Sequence, residues 1–164
     1  MRITGHGISI DLPTGWEGRI RRADPGGPVL HVASFALDEG DGAFGAAATG
    51  RMRDGDGFAA LVEYCDAERV PPGVGLFAPA RPRPLHPRDF AAMQLQVTRP
   101  GQLGCQRFFT DAGRTLCLYA VIQPSWAGLE PIVDELARVL ASLRVTPARE
   151  RVEPSGSREQ SQPG

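Results

Sequence analysis

Residues 104–143 read GCQRFFTDAGRTLCLYAVIQPSWAGLEPIVDELARVLASL, and the fold turns on them. Two runs, 104–110 and 114–123, carry the aromatic, β-branched and apolar residues of strands. Asp111-Ala112-Gly113 lies between them and suits a type I turn with Gly113 in the left-handed region, so the runs form an antiparallel hairpin. A two-residue loop would set Cys105 opposite Ala120 and Cys117 opposite Phe108. A three-residue loop would set Cys117 opposite Arg107. Neither register offers the Cα separation of ~5.5 Å that a disulfide prefers. Beyond the hairpin, Leu129, Ile132, Val133, Leu136, Val139, Leu140 and Leu143 recur at helical spacing. Pro131 sits in the first turn of that helix, where its missing N–H is harmless. Glu130, Asp134 and Glu135 lie toward its start and Arg138 and Arg144 toward its end, as the helix dipole favours.

Upstream, Ile8, Ile10 and Leu12 alternate with Ser9 and Asp11, a half-buried strand. Pro13-Thr14-Gly15 is a turn, and residues 16–22 return as a second strand, which predicts a hairpin. Residues 29–35 are nearly continuous apolar, a strand covered on both faces. Residues 43–52 form a short helix with Asp41 as its cap. Residues 58–65 form a strand with Phe58, Ala60, Val62 and Tyr64 on one side. Six prolines between Pro71 and Pro87 forbid helix and ladder strand alike. Met93-Gln94-Leu95-Gln96-Val97 alternates and predicts a strand with Met93, Leu95 and Val97 inward. Residues 147–164 are polar and read as a disordered tail, so residues 1–146 make one domain.

Composition narrows the function. The chain has 164 residues, 41% hydrophobic and 23% charged, the balance of a soluble globular domain. Eighteen basic against 19 acidic residues leave a net charge of -1, which sets up no field for nucleic acid or an anionic membrane. There is no Lys and no Asn; with abundant Gly, Pro, Ala and Arg this reads as a GC-rich bacterial genome. A chain without Lys has no Schiff-base amine and no phosphate-loop lysine. No nucleophile elbow, no dinucleotide fingerprint and no H-E-x-x-H zinc motif occurs. Cys65, Cys105 and Cys117 form no C-x-x-C and read as three free thiols. No run approaches the ~20 apolar residues of a membrane span. The N-terminus lacks an export pattern, so a cytoplasmic location is expected.

Other motifs have plain readings. Asp54-Gly55-Asp56-Gly57 has two oxygens at calcium-loop spacing, but the twelfth position is Cys65, so it reads as a solvated turn. Arg81-Pro82-Arg83-Pro84-Leu85-His86-Pro87 has the form of a basic P-x-x-P ligand but reads as an extended connector. His6, His31 and His86 fall in different elements, and none pairs with a Cys or carboxylate at ligand spacing. A Cys–His nucleophile lacks a recognisable base, so no catalytic, metal or cofactor site is expected.

Leu12-Pro13-Thr14-Gly15-Trp16, residues 113–120 and residues 140–145 together resemble the PsbP-like, or Mog-type, fold. The likeness implies an α+β domain: a mostly antiparallel sheet of six to seven strands, a long C-terminal helix on one face, and a short helix or loop on the other, an α/β/α sandwich. Members of that fold mostly bind rather than turn over a substrate, so the resemblance implies no activity. One long amphipathic helix covers one face only, so a partly uncovered sheet face is expected to engage a protein partner or a second copy of the chain. Gln94, Gln96 and Thr98 would rim that surface of a cytoplasmic adaptor. The alternative is a small-molecule-binding module, with a pocket between sheet and helix lined by Trp16, Phe108 and Tyr119.

Overall fold

The computed structural model describes residues 1–23, 26–64 and 77–148. The protein is α+β, but its strands form two antiparallel sheets rather than one. The smaller holds β1 (Arg2–Gly5), β2 (Ile8–Asp11) and β8 (Arg144–Val145), in the order β1-β2-β8. The larger holds β3 (Glu17–Arg22), β4 (Pro28–Ala33), β5 (Gly57–Glu63), β6 (Leu103–Asp111) and β7 (Arg114–Ile122), in the order β3-β4-β5-β7-β6. Helix α1 is one turn, Ala46–Thr49, and α2 is Glu130–Ala141.

Two hairpins use the same device. His6 and Gly7 have φ of 50° and 74°, and Ala112 and Gly113 have 51° and 72°. Two consecutive left-handed residues make a type I′ turn, whose twist matches that of the strands. The second loop is therefore two residues, not a type I turn, and it sets Cys105 opposite Ala120 and Cys117 opposite Phe108.

The predicted β2–β3 hairpin does not form. β2 pairs with β1 and β8, and β3 pairs with β4. The Pro13–Trp16 turn carries the chain from one sheet to the other instead. The small sheet lies so close over β3 that a side chain at Gly18 would meet Ile3 Cδ1 and Leu12 Cδ1 at 2.7 and 2.8 Å. Local alternation specified the two strands; it could not specify their partners.

Both faces of the large sheet are covered. Leu30, Val32, Leu61, Leu116, Ala120 and Ile122 pack with Ile8 and Ile10 of the small sheet and with Val133 and Leu136 of α2. On the second face, Val29, Phe58, Ala60, Val62 and Val121 pack with Leu37, Ala48 and Met52. Every residue of β4 and β7 is buried as a result. Asp41 does hold the start of α1, accepting from Ala47 N–H at 3.0 Å and Ala48 N–H at 2.8 Å. Burial opposes its ionisation, but these donors and the Gly42 N–H hold its carboxyl below the ordinary range.

The proline-rich segment guards the free edge of β6. Ala78 N–H donates to Phe108 O at 2.9 Å and Thr110 N–H to Ala78 O at 2.8 Å. Ala91 and Gly104 exchange two further bonds, at 2.9 and 3.1 Å. Between these pins the prolines cannot donate to a ladder, so the chain lifts off the edge and crosses the face that bears α2. Residues 149–164, the greater part of the expected tail, lie outside the described residues, as does Cys65.

Candidate functional site

The crossing segment, residues 81–85, is held by its two arginines. Arg81 donates to Asp111 Oδ2 from Nε and Nη2, at 3.1 and 2.7 Å, and to Leu143 O from Nη1 at 2.8 Å. Arg83 clasps Asp89 in a two-pronged pair at 2.6 and 3.1 Å. Asp89 also accepts from His86 N–H at 2.9 Å and lies 3.2 Å from Arg107 Nη2. Its carboxyl is almost fully buried; burial alone would raise its pKa, but Arg83, the His86 N–H and Arg107 hold it below the usual range. Leu85 and Phe90 anchor this segment in the core.

Opposite it lies α2. Its inward residues Ile132, Val133, Leu136 and Val139 seat the helix on the sheet. Ala137 and Ala141, four residues apart, share the stripe that faces residues 81–85. Their side chains are too short to reach it. Residues 81–85, the alanine stripe with Leu140 and Leu143, and a floor of Phe109 and Leu118 border a partly open cavity of about 240 Å³. Its lining is mostly apolar, with Arg81 and Arg83 as its charged members. A broader, more open depression of about 510 Å³ lies between Leu12-Pro13 and the residues 135–142 side of α2.

The cavity between sheet and helix is thus lined by other residues than those expected. Trp16 is buried on the helix side, and its Nε1–H donates to Glu135 Oε1 at 2.7 Å. Tyr119 points to the second face, where its ring meets Phe44 edge-on and its hydroxyl accepts from Gln96 N–H at 2.9 Å. Phe108 is on that face too, with Tyr64 and Phe77. The three aromatic side chains do not line one pocket: Trp16 packs on the face that bears α2, while Phe108 and Tyr119, paired with Cys117 and Gln106, project from the other.

Nor do Gln94, Gln96 and Thr98 form one rim. Residues Ala92–Gln94 are a 3₁₀ turn, not a strand. Met93, expected inside, is 91% exposed, and only Leu95 packs on the core. Gln94 turns inward: its Oε1 accepts from Gln106 N–H at 3.0 Å and its Nε2 donates to Asp89 O at 3.1 Å. Gln96 and Thr98 are exposed. Alternation over five residues failed here because Gln94 satisfies the backbone of β6 in place of a neighbouring strand.

The remaining motifs have structural employment. Asp54 accepts from Gln123 Nε2, and Asp56 from Arg53 N–H. Among the described residues, no group of three metal-binding side chains is gathered. His31 is buried, donates from Nε2–H to Ala43 O at 2.8 Å, and stands edge-on to Phe58. Burial pushes the Cys105 and Cys117 thiols up to about 11 and about 12, far from nucleophilic thiolates. Among the described residues no helix is long and apolar enough to cross a membrane. The cavity did leave traces in the sequence: a proline-rich run with two arginines, and an alanine pair at helical spacing. Neither trace names its partner, since the two are separated by more than fifty residues. The chain matches no family model, no curated protein and no solved structure.

Proposed function

We propose that this protein is a non-catalytic binding module for a small apolar molecule, held between the large sheet and α2. The observation that carries the reading is the cavity of about 240 Å³ between residues 81–85 and the Ala137–Ala141 stripe. Apolar lining with few polar groups at its border is the usual anatomy of a ligand site. The test is native mass spectrometry of the protein purified from its own host. A bound small mass, absent from an Ala137→Phe variant of unchanged secondary structure, is expected. A preparation free of any small mass, or one whose mass survives that substitution, overturns the reading.

A second reading, an adaptor for a protein partner or a second copy of the chain, is favoured by Trp126, which is 98% exposed in the loop between β7 and α2. Tryptophan is the residue type most enriched at binding hot spots. Copurification of a polypeptide lost on Trp126→Ser would support it. The bacterial, cytoplasmic setting and the PsbP-like ancestry belong to the same proposal. The α+β character supports that ancestry, and the division into two sheets departs from it.

A further inference from the structure

Three guanidinium groups and two carboxylates meet where residues 81–85 pass over the cavity. Arg81 faces Asp111, while Arg83 and Arg107 share Asp89. Among the described residues, one positive charge is left over. The Arg81 and Arg83 side chains remain 36% and 53% exposed, and both line the cavity. A guanidinium carries five N–H groups. Arg81 directs Nε and one hydrogen on each Nη at Asp111 and Leu143 O, and Arg83 directs its two Nη groups at Asp89 and Pro84 O. Among the described residues, donors are left on both arginines, beside an apolar interior.

The dimensions narrow the occupant further. Five extended residues span roughly 16 Å, and all of residues 81–85 border the cavity. The gap therefore runs along the whole of this segment. A cavity of ~150 Å³ takes the six carbons of benzene, so about 240 Å³ accommodates about ten carbons. The walls are Pro, Leu and Ala, with Phe109 as the one aromatic ring.

We propose that the cavity binds a medium-chain carboxylate, with an alkyl tail of about ten carbons between residues 81–85 and α2 and its carboxylate on the free N–H groups of Arg81 and Arg83. A carboxylate supplies the missing negative charge and accepts planar, charge-assisted bonds from guanidinium. An alcohol of the same length leaves that charge unmet, and an ammonium adds to it. The inference rests on the cavity being the ligand site.

The experiment is calorimetric titration of the full chain with decanoate, decanol and decylammonium. Decanoate should bind about tenfold or more tighter than decanol, as expected for a charge-assisted hydrogen bond, and decylammonium should bind weakest. Arg83→Gln should bring decanoate to the level of decanol without changing decanol affinity. Ala137→Phe should abolish binding of both. Equal affinity for decanoate and decanol overturns the carboxylate while leaving the cavity reading in place. Failure of all three to bind, or binding that Ala137→Phe does not alter, overturns both. The comparison of the three ligands on the unaltered protein decides the matter even if Arg83→Gln does not fold.

Discussion

The Arg114 guanidinium meets the Glu63 carboxylate through two bonds, Nη2 to Oε2 at 2.7 Å and Nε to Oε1 at 3.0 Å, with side-chain exposures of 4% and 11%. Arg114 Nη1 also donates to Thr146 O at 3.0 Å, and Thr146 N–H donates to Gly7 O at 2.8 Å. One arginine thus joins the end of β5 and the start of β7 to the point where the chain leaves β8, beside the β1–β2 turn.

Removing one partner of a buried pair strands the other in a medium that cannot solvate it. Arg114→Ala should lower unfolding free energy in urea by about 3–5 kcal/mol. The double replacement Arg114→Met with Glu63→Leu should lose much less, since no charge is then stranded. A single variant within about 0.5 kcal/mol of the parent, the range of an ordinary surface change, would mean that water reaches the pair.

Gln94 and Gln96, adjacent in pattern, should behave differently. Gln94→Glu loses the donor to Asp89 O and turns a carboxylate toward that carbonyl, which should cost about 1–3 kcal/mol. Gln96→Glu is an exposed change and should stay within about 0.5 kcal/mol. Thermal or urea unfolding of the two single variants checks both, and equal effects would contradict the inward position of Gln94.

His31 should make the fold acid-sensitive above the carboxylate range. Burial pushes its imidazole below the ordinary 6.5; the Ala43 carbonyl and Asp41 pull the other way, and Arg21 adds to the lowering. The unfolded chain therefore binds a proton that the folded chain refuses. Its contribution to stability is complete above pH 6.5 and falls as pH drops toward the folded pKa, by at most about 1.4 kcal/mol per pH unit. Unfolding free energy measured from pH 7.5 to 5 should show this slope, and His31→Gln should flatten it. An unchanged slope would assign the acid sensitivity to other groups.

Cys105 and Cys117 should resist alkylation in the native protein. Both are buried, on opposite faces of the β6–β7 pair, and burial raises them to about 11 and about 12. Peptide mapping after brief iodoacetamide treatment at pH 8 should find both unmodified, with full labelling in urea. Native labelling of Cys117 at the unfolded rate would show that β7 opens.

Elements whose signals are local could be read from the residues alone. The hairpin was legible from two strand runs and Gly113 between them, though not its turn type, since Ala112 also takes positive φ; α2 needs only apolar residues at helical spacing. Asp41 was legible as a group that holds the start of α1, although Gly45 is the N-cap and Asp41 reaches Ala47 and Ala48 from outside the helix. Whatever depends on a distant partner emerges only when the chain is folded. Ile8–Asp11 and Glu17–Arg22 look like a hairpin, yet the close fit of Ile3 and Leu12 over Gly18 sends them to different sheets. Residues 93–97 alternate like a strand, yet Gln94 bonds the β6 backbone instead. Covering of the second sheet face came from residues 37–52, whose glycines weaken any local signal. The cavity is decided the same way: prolines lift residues 81–85 off the β6 edge, two short alanines stand opposite, and only the folded chain brings the two together.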